Sequence, residues 1–294
     1  TKVHKYFQIT QYFIKILIFP KRLKNMKIVS FNINSIRARP HQIIHLRDTI
    51  DPDVIGLQET KVNDPEFPTD EIREIGYHPE FWGQKGHYGV AFLSKKKPEN
   101  VLKGFADDSE DDQKRFIQAT FKWKKKKITI MNGYFPQGEN RSHATKFPKK
   151  IKFYNDLKRH IKKLKKTEEN LIVMGDFNVA PTELDVGIGE QNVKRWLRDG
   201  KTAFLPEEIE MWNEIKKLGF IDSWRMQNPQ EGSIYSWFDY RSRMFDDDPK
   251  RGLRIDHILV SENIEHALLN TGIDYSARAM EKPSDHCPIW IELK

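Results

Sequence analysis

Cysteine is nearly absent from this chain of 294 residues, in which Cys287 stands alone. A single cysteine excludes an intrachain disulfide and is typical of a reducing compartment, so we predict a cytoplasmic protein. The preceding His286 raises the alternative of a Cys–His nucleophile. Adjacent residues on a strand point to opposite faces, however, and we assign Cys287 to the core.

Long hydrophobic runs are also absent. The apolar stretch 12–19 contains Lys15 and is far too short to span a bilayer, so we predict no membrane partner. No small-residue cleavage site follows it, and a transit peptide would be richer in arginine and serine. We expect residues 1–25 to be a disordered or non-native extension ahead of one domain over 26–294. A targeting or membrane-touching segment and an added structural element are the alternatives.

Excess positive charge is confined to the first 25 residues. The net charge is +8, but residues 1–25 contain six lysines or arginines and no acid. The remaining chain has 44 basic against 42 acidic residues, a net charge of +2. Bulk charge therefore gives little evidence for a nucleic-acid partner, which must be argued from local patches.

Glycine- and serine-rich linkers, repeats and low-complexity tracts are missing, which favours one domain. Helical periodicity predicts helices over Arg39 to Ile50 and Phe147 to Lys165, with the lysines of the second on a solvated face. Lys124 to Lys127 is predicted to be a hairpin tip. The predicted buried positions are Ile43, Ile44 and Leu46 in the first helix and Ile151, Tyr154, Leu157, Ile161 and Leu164 in the second. The predicted strands are 27–33, 53–58, 87–94, 115–123, 127–133, 171–175, 255–260 and 288–293.

The apolar run 171–174 ends in Gly175-Asp176-Phe177-Asn178. Such a run is typical of a buried parallel strand in an α/β protein, and functional groups concentrate where these strands end. Asp176 can bind a hard cation or accept a proton, and Asn178 can hydrogen-bond a phosphate or a water. Asp and Asn are also common turn formers, so this loop alone leaves both interpretations open.

Polar side chains of the same kind lie in or next to other predicted strands. Asn32 and Glu59 follow apolar runs, Asp256 lies within one, and Asp285-His286 precedes the last strand. Oxygen ligands of this kind suit Mg²⁺ or Mn²⁺, with water and substrate phosphate completing the coordination. The residues themselves therefore indicate metal-assisted hydrolysis of a phosphate ester.

Eight segments in a fixed order carry a family resemblance: Phe31–Asn34, Leu57–Lys61, Gly83–Val90, Asn132–Gly138, Gly175–Asn178, Phe238–Ser242, Gly252–Asp256 and Glu281–His286. Through them the chain resembles the exodeoxyribonuclease III family of bacterial AP endonucleases, within the exonuclease–endonuclease–phosphatase superfamily. The resemblance runs from Met26, where the family usually begins, almost to Lys294. It implies an α/β fold: a four-layer αββα sandwich (DNase I-like), with two mixed sheets face to face between outer helices.

The resemblance also implies the activity. We expect a DNA repair enzyme that acts on double-stranded DNA as a monomer, cuts 5′ to abasic sites, degrades strands from 3′ ends and removes 3′ blocking groups. A superfamily relative acting on inositol phosphates or sphingomyelin, and a non-catalytic DNA-binding scaffold, are the rival hypotheses.

Site roles follow from the same resemblance. The implied metal ligands are Asn32, Glu59, Asp176, Asn178, Asp285 and His286, with one or two ions left open. A strand-end salt bridge with Lys61 is the alternative for Glu59. Asp176 is the candidate base, Asn178 holds the water, and His286 contacts the phosphate. Asp256 orients His286, with a purely structural hydrogen-bond acceptor as the alternative. The Tyr134 hydroxyl faces the developing charge, with a packing role as the alternative.

The implied DNA contacts are Arg115, Gln137, Lys194, Arg195, Trp237 and Phe238. We expect Trp237 and Phe238 to be exposed aromatics that receive a sugar without its base, with a buried aromatic cluster as the alternative. Residues 192–212 resemble a DNA-contacting insertion and contain local basic charge at Lys194, Arg195, Arg198 and Lys201.

Overall fold

The computed structural model describes residues 25–109 and 112–294. The predicted extension therefore lies, apart from Asn25, outside the described residues. Those residues contain twelve strands: β1 (Met26–Asn32), β2 (Val54–Gln58), β3 (His78–Trp82), β4 (Val90–Ser94), β5 (Asn100–Lys103), β6 (Phe116–Trp123), β7 (Lys126–Tyr134), β8 (Leu171–Asp176), β9 (Phe220–Asp222), β10 (Asp256–Ser261), β11 (Leu268–Ile273) and β12 (Ile289–Leu293). Their α-helices are α1 (Pro40–Thr49), α2 (Thr69–Glu74), α3 (Lys146–Leu164), α4 (Glu190–Arg198), α5 (Pro206–Lys216), α6 (Ser223–Gln227) and α7 (Tyr275–Arg278).

The strands form two mixed sheets of six. The first sheet has the order β11-β12-β1-β2-β4-β3, and the second has the order β5-β6-β7-β8-β10-β9. One parallel pair lies inside each sheet, β1 with β2 and β7 with β8. The strands of a parallel pair end at the same edge, so each sheet has two neighbouring strand ends from which side chains can meet.

The two sheets pack face to face through apolar side chains. Ile28 and Phe92 from the first sheet share a buried cluster with Ile130 and Met174 from the second. The central strands are buried on both faces, which explains their continuous apolar runs. Each fully buried aliphatic side chain of this kind contributes about 1.5–3 kcal/mol.

Helices cover the outer faces. Ile43 and Leu46 of α1 pack with the outer residues of the first sheet. Leu157 of α3 and Trp212 of α5 pack with Val173 and the outer face of the second sheet. The predicted four-layer αββα sandwich is therefore confirmed.

Several local predictions are confirmed. The eight predicted strands are present with ends shifted by at most three residues, and both predicted helices are present within one residue at each end. Lys124, with φ of 54°, lies at the turn between β6 and β7, as expected of a hairpin tip. Cys287 is buried in the core. Among the described residues, no helix is both long and apolar enough to cross a membrane.

Two predicted core positions and one predicted surface lysine are wrong. Ile44 and Ile151 are 39% and 38% exposed, because each lies beside rather than on the buried stripe of its helix. Lys150, in contrast, is fully buried on the inner stripe of α3, beside Phe147 and Tyr154. The lysines of α3 therefore do not all belong to a solvated face.

Candidate active site

The site lies where the parallel strands of both sheets end. Asn32 is the last residue of β1, Glu59 follows β2, and β7 and β8 end at Tyr134 and Asp176. Strand β10 runs antiparallel to β8 and places Asp256 opposite Asp176. The fold therefore gathers polar side chains from distant parts of the sequence at one edge of the sandwich.

Asn32 joins the carboxylates of the two sheets. Its buried side-chain Nδ2 donates to Oε1 of Glu59 at 3.1 Å and to Oδ2 of Asp176 at 3.0 Å. The two carboxylates thus converge on one amide, although they come from different sheets. Placing two acidic groups so close favours a cation between or beside them.

Left-handed backbone conformations shape this edge. Glu59 and Asn178 have φ of 52° and 53°, which is uncommon for residues other than glycine and concentrates at functional sites. The main-chain N–H of Asn178 donates to Oδ1 of Asp176 at 3.0 Å, and its side chain donates to the carbonyl of Phe135 at 3.0 Å. The turn at Asn178 therefore fixes the carboxylate orientation of Asp176.

His286 lies between two carboxylates. Its Nδ1 is 2.8 Å from Oδ2 of Asp256, and its Nε2 is 3.8 Å from Oδ2 of Asp176. The Ser236 hydroxyl donates to Asp256 at 2.6 Å. Asp256 is thus held by the Ser236 hydroxyl and in turn holds Nδ1 of the imidazole, while Nε2 faces Asp176.

These contacts shift the protonation of the buried groups. Burial alone would lower the pKa of His286, but the carboxylates of Asp256 and Asp176 outweigh it and raise that pKa to about 10. Burial, with smaller contributions from Asp256 and Glu59, raises the pKa of Asp176 to about 7, against the opposing effect of His286. The metal-free site therefore pairs an imidazolium with a carboxyl group that titrates near neutral pH.

Asp285 is held at the rim of the site. Asn34 Nδ2 donates to its Oδ1 at 2.9 Å, and the Trp237 indole N–H donates to its Oδ2 at 3.1 Å. Burial favours the neutral acid, but His286 and these two donors outweigh it, and the pKa of Asp285 is lowered. Asp285 is therefore an anion pointing toward the same edge as Glu59.

The donor set fits a hard divalent cation. The Lys61 ammonium lies 2.9 Å from Oε2 of Glu59 and 2.6 Å from Oδ1 of Asn34, so both oxygens already face a positive charge. Carboxylate and amide oxygens are the ligands that Mg²⁺ and Mn²⁺ prefer. Asp176, Asp256 and His286 also offer ligand atoms within 4.8 Å of one another, but Asp256 is occupied by its bond to His286.

Tyr134 and Arg115 form one stacked unit. The Tyr134 hydroxyl hydrogen-bonds Glu59, and burial raises its pKa well above the usual value, so it stays a donor. The Arg115 guanidinium lies 4.2 Å from the ring centre of Tyr88 and 4.5 Å from that of Tyr134, and donates to the Tyr134 carbonyl at 3.0 Å. Arg115 is only 9% exposed, and its contact with DNA stays a prediction.

The two aromatics predicted to be exposed differ. Trp237 is half-buried beside Asp285, and its main chain forms an isolated antiparallel β-bridge with His286. Phe238 is fully buried in a cluster with Tyr235 and Leu253. The expectation of an exposed side chain is therefore wrong for Phe238, because its ring completes the core beneath the neighbouring tryptophan.

The basic segment, residues 192–212, lies beside the loop that follows β7. Asn140 donates to the carbonyl of Asp199 at 2.6 Å, and the Arg141 N–H donates to that of Gly200 at 2.7 Å. Gln137 of that loop is exposed, as are the predicted DNA contacts Lys194 and Arg195 of α4. Gln137 therefore lies on a loop joined directly to the Tyr134 strand end, and the same loop is hydrogen-bonded to the residues just after α4.

Sequence reasoning missed two groups that hold the site together. Asn34 connects Asp285 with Lys61, and Ser236 holds Asp256. A second amide two residues after Asn32 was a signal for the first. No local pattern marks Ser236, which reaches Asp256 only through tertiary packing.

Comparison with known proteins agrees with this geometry. A model of the Endonuclease/Exonuclease/phosphatase family matches residues 29–286. The chain is 52% identical over 269 residues to exodeoxyribonuclease III of Haemophilus influenzae, covering 92% of this chain and 100% of that protein.

Two solved structures have the same architecture. One is the 3′ phosphatase NExo from Neisseria bound to a product DNA hairpin, with a TM-score of 0.83, 33% identity and coverage of 92% of this chain and 99% of that one. The other is an AP endonuclease from Archaeoglobus fulgidus, with a TM-score of 0.81, 33% identity and the same two coverages. The fold, the ordered site residues and these matches together establish that the chain belongs to the Endonuclease/Exonuclease/phosphatase family.

Proposed function

We propose that this chain is a metal-dependent DNA repair nuclease. It incises double-stranded DNA 5′ to abasic sites, degrades duplexes from 3′ ends, and removes 3′ phosphates and 3′ phosphodiesters. The observation that carries the proposal is the convergence of Asp176, the His286–Asp256 pair and Glu59 at one strand edge. Its relatives include exodeoxyribonuclease III and an AP endonuclease.

Asp176 is the proposed base. Its carboxylate takes a proton from the attacking water as the water oxygen forms a bond to phosphorus. The bond from phosphorus to the 3′ oxygen breaks, and the departing oxygen takes up a proton from solvent. The products are a 3′ hydroxyl and a 5′ phosphate. Asn178, held on the Phe135 carbonyl, supports the water and the phosphate oxygens beside Asp176.

His286 and Tyr134 are the proposed donors to the phosphate. His286 is cationic because of its two carboxylate neighbours, and a cationic hydrogen-bond donor stabilises the extra negative charge of the pentacovalent phosphorus. The Tyr134 hydroxyl keeps its proton and faces the same edge through Glu59. Asp256 is a positioning residue, since it contacts His286 rather than the substrate.

The proposed cofactor is Mg²⁺ or Mn²⁺. Glu59, Asn32 and Asp285 are its proposed ligands, with Asp176, Asn178 and His286 close enough to take part or to hold a second ion. When bound, the cation neutralises phosphate charge and favours ionised forms of nearby acids.

The proposed DNA surface combines Trp237, Gln137 and the basic segment. Trp237 offers a half-exposed ring near Asp285 for a sugar without its base, and Lys194 and Arg195 offer charge to the phosphate backbone. Arg115 is proposed to contact the phosphate backbone beside Tyr134, whereas the buried Phe238 supports Trp237 from the core. We further propose that the chain acts as a monomer in the cytoplasm.

Incision of a duplex with one abasic analogue, in Mg²⁺ and again in EDTA, tests the proposal. We expect a first cut 5′ to the lesion, followed by shortening from the new 3′ end, and we expect EDTA to abolish both. Turnover of a phosphoinositide or sphingomyelin without cleavage of the duplex would assign the site to a different branch of the family. Binding of the abasic duplex without Mg²⁺-dependent incision would make the chain a scaffold.

A further inference from the structure

A fully buried ion pair lies behind the site. Lys150 of α3 and Glu208 of α5 have no exposed side-chain surface, and the Lys150 ammonium contacts Oε1 of Glu208. Removing two charges from water costs several kcal/mol per ion, and a well-packed apolar pair is often at least as stable. Stability alone therefore does not account for charges at these two positions.

The remaining contacts of Lys150 lead to the catalytic edge. Its ammonium donates to the main-chain carbonyl of Asn178 at 2.9 Å and to that of Gln137 at 3.3 Å. Asn178 follows Asp176 in the left-handed turn, and Gln137 lies in the loop after the Tyr134 strand. One ammonium thus holds the backbone of two loops that carry proposed site residues.

Glu208 holds a third segment. Its Oε2 accepts the main-chain N–H of Ala203 at 2.8 Å and that of Leu205 at 2.9 Å, at the start of α5. These residues lie in the basic segment proposed to contact DNA. The pair therefore connects the turn at Asn178, the loop at Gln137 and the basic segment through charge-assisted hydrogen bonds.

Tyr154 extends the same contact one turn along α3. Its buried hydroxyl donates to the carbonyl of Phe177 at 2.9 Å. Lys150 and Tyr154 together bind two successive carbonyls of the turn that orients Asp176. The helix thus determines the path of the backbone between Asp176 and Asn178.

We propose that Lys150 and Glu208 are positioning residues that fix the Asp176–Asn178 turn relative to the DNA-contacting segment. This inference rests on the proposed function. The pair touches neither substrate nor cofactor; it acts by holding the base and the water-binding amide in their productive places. Small displacements of such groups lower turnover strongly.

Paired variants separate positioning from stability. Lys150→Met leaves Glu208 as an unpaired buried anion, so both the melting temperature and kcat should fall. The double variant Lys150→Met/Glu208→Gln removes both charges and keeps an amide oxygen for the Ala203 and Leu205 N–H groups. It should recover most of the melting temperature while kcat stays about tenfold or more below wild type, with KM for abasic duplex within about threefold.

Amide hydrogen exchange of the metal-free protein gives a readout independent of activity. Peptides that cover Asp176 to Ala180 should exchange faster in the double variant than in wild type. Recovery of both kcat and slow exchange along with the melting temperature would overturn the inference. If wild type shows no Mg²⁺-dependent incision, the proposed function fails. The exchange comparison still tests whether Lys150 and Glu208 hold the Asp176–Asn178 turn.

Two further variants complete the test. Lys149→Met changes an exposed lysine of the same helix and should match wild type in kcat and exchange. Tyr154→Phe removes only the donor to Phe177 and keeps the ring in the core, so it folds even if the Lys150 variants do not. It should lower kcat about threefold at unchanged KM; unchanged kcat and exchange would overturn the positioning of this turn by α3.

Discussion

At the scale of single residues, the site holds buried carboxylates and a buried imidazolium close together. Asp176 is 1% exposed and its carboxylate is held by Asn32 and the Asn178 N–H. Burial of an acid without a fully compensating cation costs stability, and that cost persists where reactivity requires the group. Asp176 is therefore expected to oppose folding in the metal-free protein.

Asp176→Asn tests this opposition directly. The substitution removes the proposed base but keeps the shape and the contact with Asn32, so kcat on abasic duplex should fall more than tenfold while DNA binding stays within a few-fold. The free energy of unfolding of the metal-free protein should instead rise. The pKa of Asp176 in the folded protein, about 7, lies above its ordinary value of 3.8.

The sign of that stability change depends on pH. The raised pKa means that the folded state favours the protonated acid; this stabilisation is complete below pH 3.8 and is lost as pH rises through 7. In EDTA, Asp176→Asn should therefore be more stable than wild type by roughly 1–4 kcal/mol at pH 8 and equal to it near pH 4. Urea unfolding at both pH values measures this, and a variant that is less stable at pH 8 would contradict it.

The imidazole of His286 offers a second residue-scale prediction. Asp256 makes the largest favourable contribution to its pKa of about 10, ahead of Asp176. Asp256→Asn should lower that pKa by more than one unit, which NMR titration of the ring in metal-free protein would measure. Wild type is the reference, and an unchanged pKa would mean that Asp176 alone sets the charge of His286. The ring of the variant then loses its charge at a lower pH than in wild type, so incision should fall off at a lower pH on the alkaline side.

At the scale of elements, the sequence predicted the inner strands and missed the edges. The four strands that escaped prediction are β3, β5, β9 and β11, which form the four edges of the two sheets. Central strands are buried on both faces and read as continuous apolar runs, whereas β3 and β5 are mostly half-exposed or exposed. An edge strand has only one neighbour, so its sequence carries a weaker pattern.

The same reasoning explains which site residues were predictable. Glu59, Asp176 and Asp256 interrupt or end apolar runs, which makes them visible locally. Lys150 is less visible because only the helical spacing from Phe147 to Tyr154 marks its position as buried, and its partner lies 58 residues away. The sequence alone does not specify which loop a buried helix residue contacts, since that depends on how the layers pack.

A buried ion network around Arg254 gives an element-scale prediction. Its guanidinium lies 2.7 Å from both Asp185 and Asp222 and connects the short 3₁₀ helix Glu183–Asp185, the end of β9 and the start of β10. Arg254→Met would leave buried Asp222 without its guanidinium partner and Asp185 with Arg225 alone, so the free energy of unfolding should fall by about 3–5 kcal/mol.

An exposed arginine supplies the control for that measurement. Arg243 pairs with Asp246 at 3.5 Å with 83% of its side chain exposed. Arg243→Met should change the free energy of unfolding by less than about 0.5 kcal/mol, since exposed pairs contribute little. Urea denaturation of both variants decides the matter. Equal effects would mean that the Arg254 network is no more important than a surface contact.

At the scale of the whole molecule, the catalytic edge is a consequence of the sandwich. Each sheet contributes one parallel pair, and the two pairs face each other, so four strand ends meet on one side. Antiparallel neighbours then deliver Asp256 and His286 to the same side from their starts rather than their ends. Site residues spread from Asn32 to His286 are thereby brought together by the order of the strands.

This arrangement leads to a prediction about the first 25 residues. The site lies entirely within residues 32–286, and β1 begins at Met26. Residues 1–25 contribute six positive charges, and their removal lowers the net charge from +8 to +2. A chain that begins at Met26 should therefore keep kcat within about twofold of the full chain, whereas its KM for duplex DNA should rise at low salt, where long-range attraction assists encounter.

Varying the salt concentration separates long-range attraction of DNA by the charges of residues 1–25 from direct support of the catalytic edge. Near 0.5 M salt the Debye length is only about 4 Å, so attraction from distant charges is screened and the two chains should have equal KM values. Steady-state incision of abasic duplex from 0.05 to 0.5 M salt measures both quantities. A deficit in kcat that persists at high salt would contradict the prediction, because it would require the first 25 residues to support the catalytic edge directly rather than through charge.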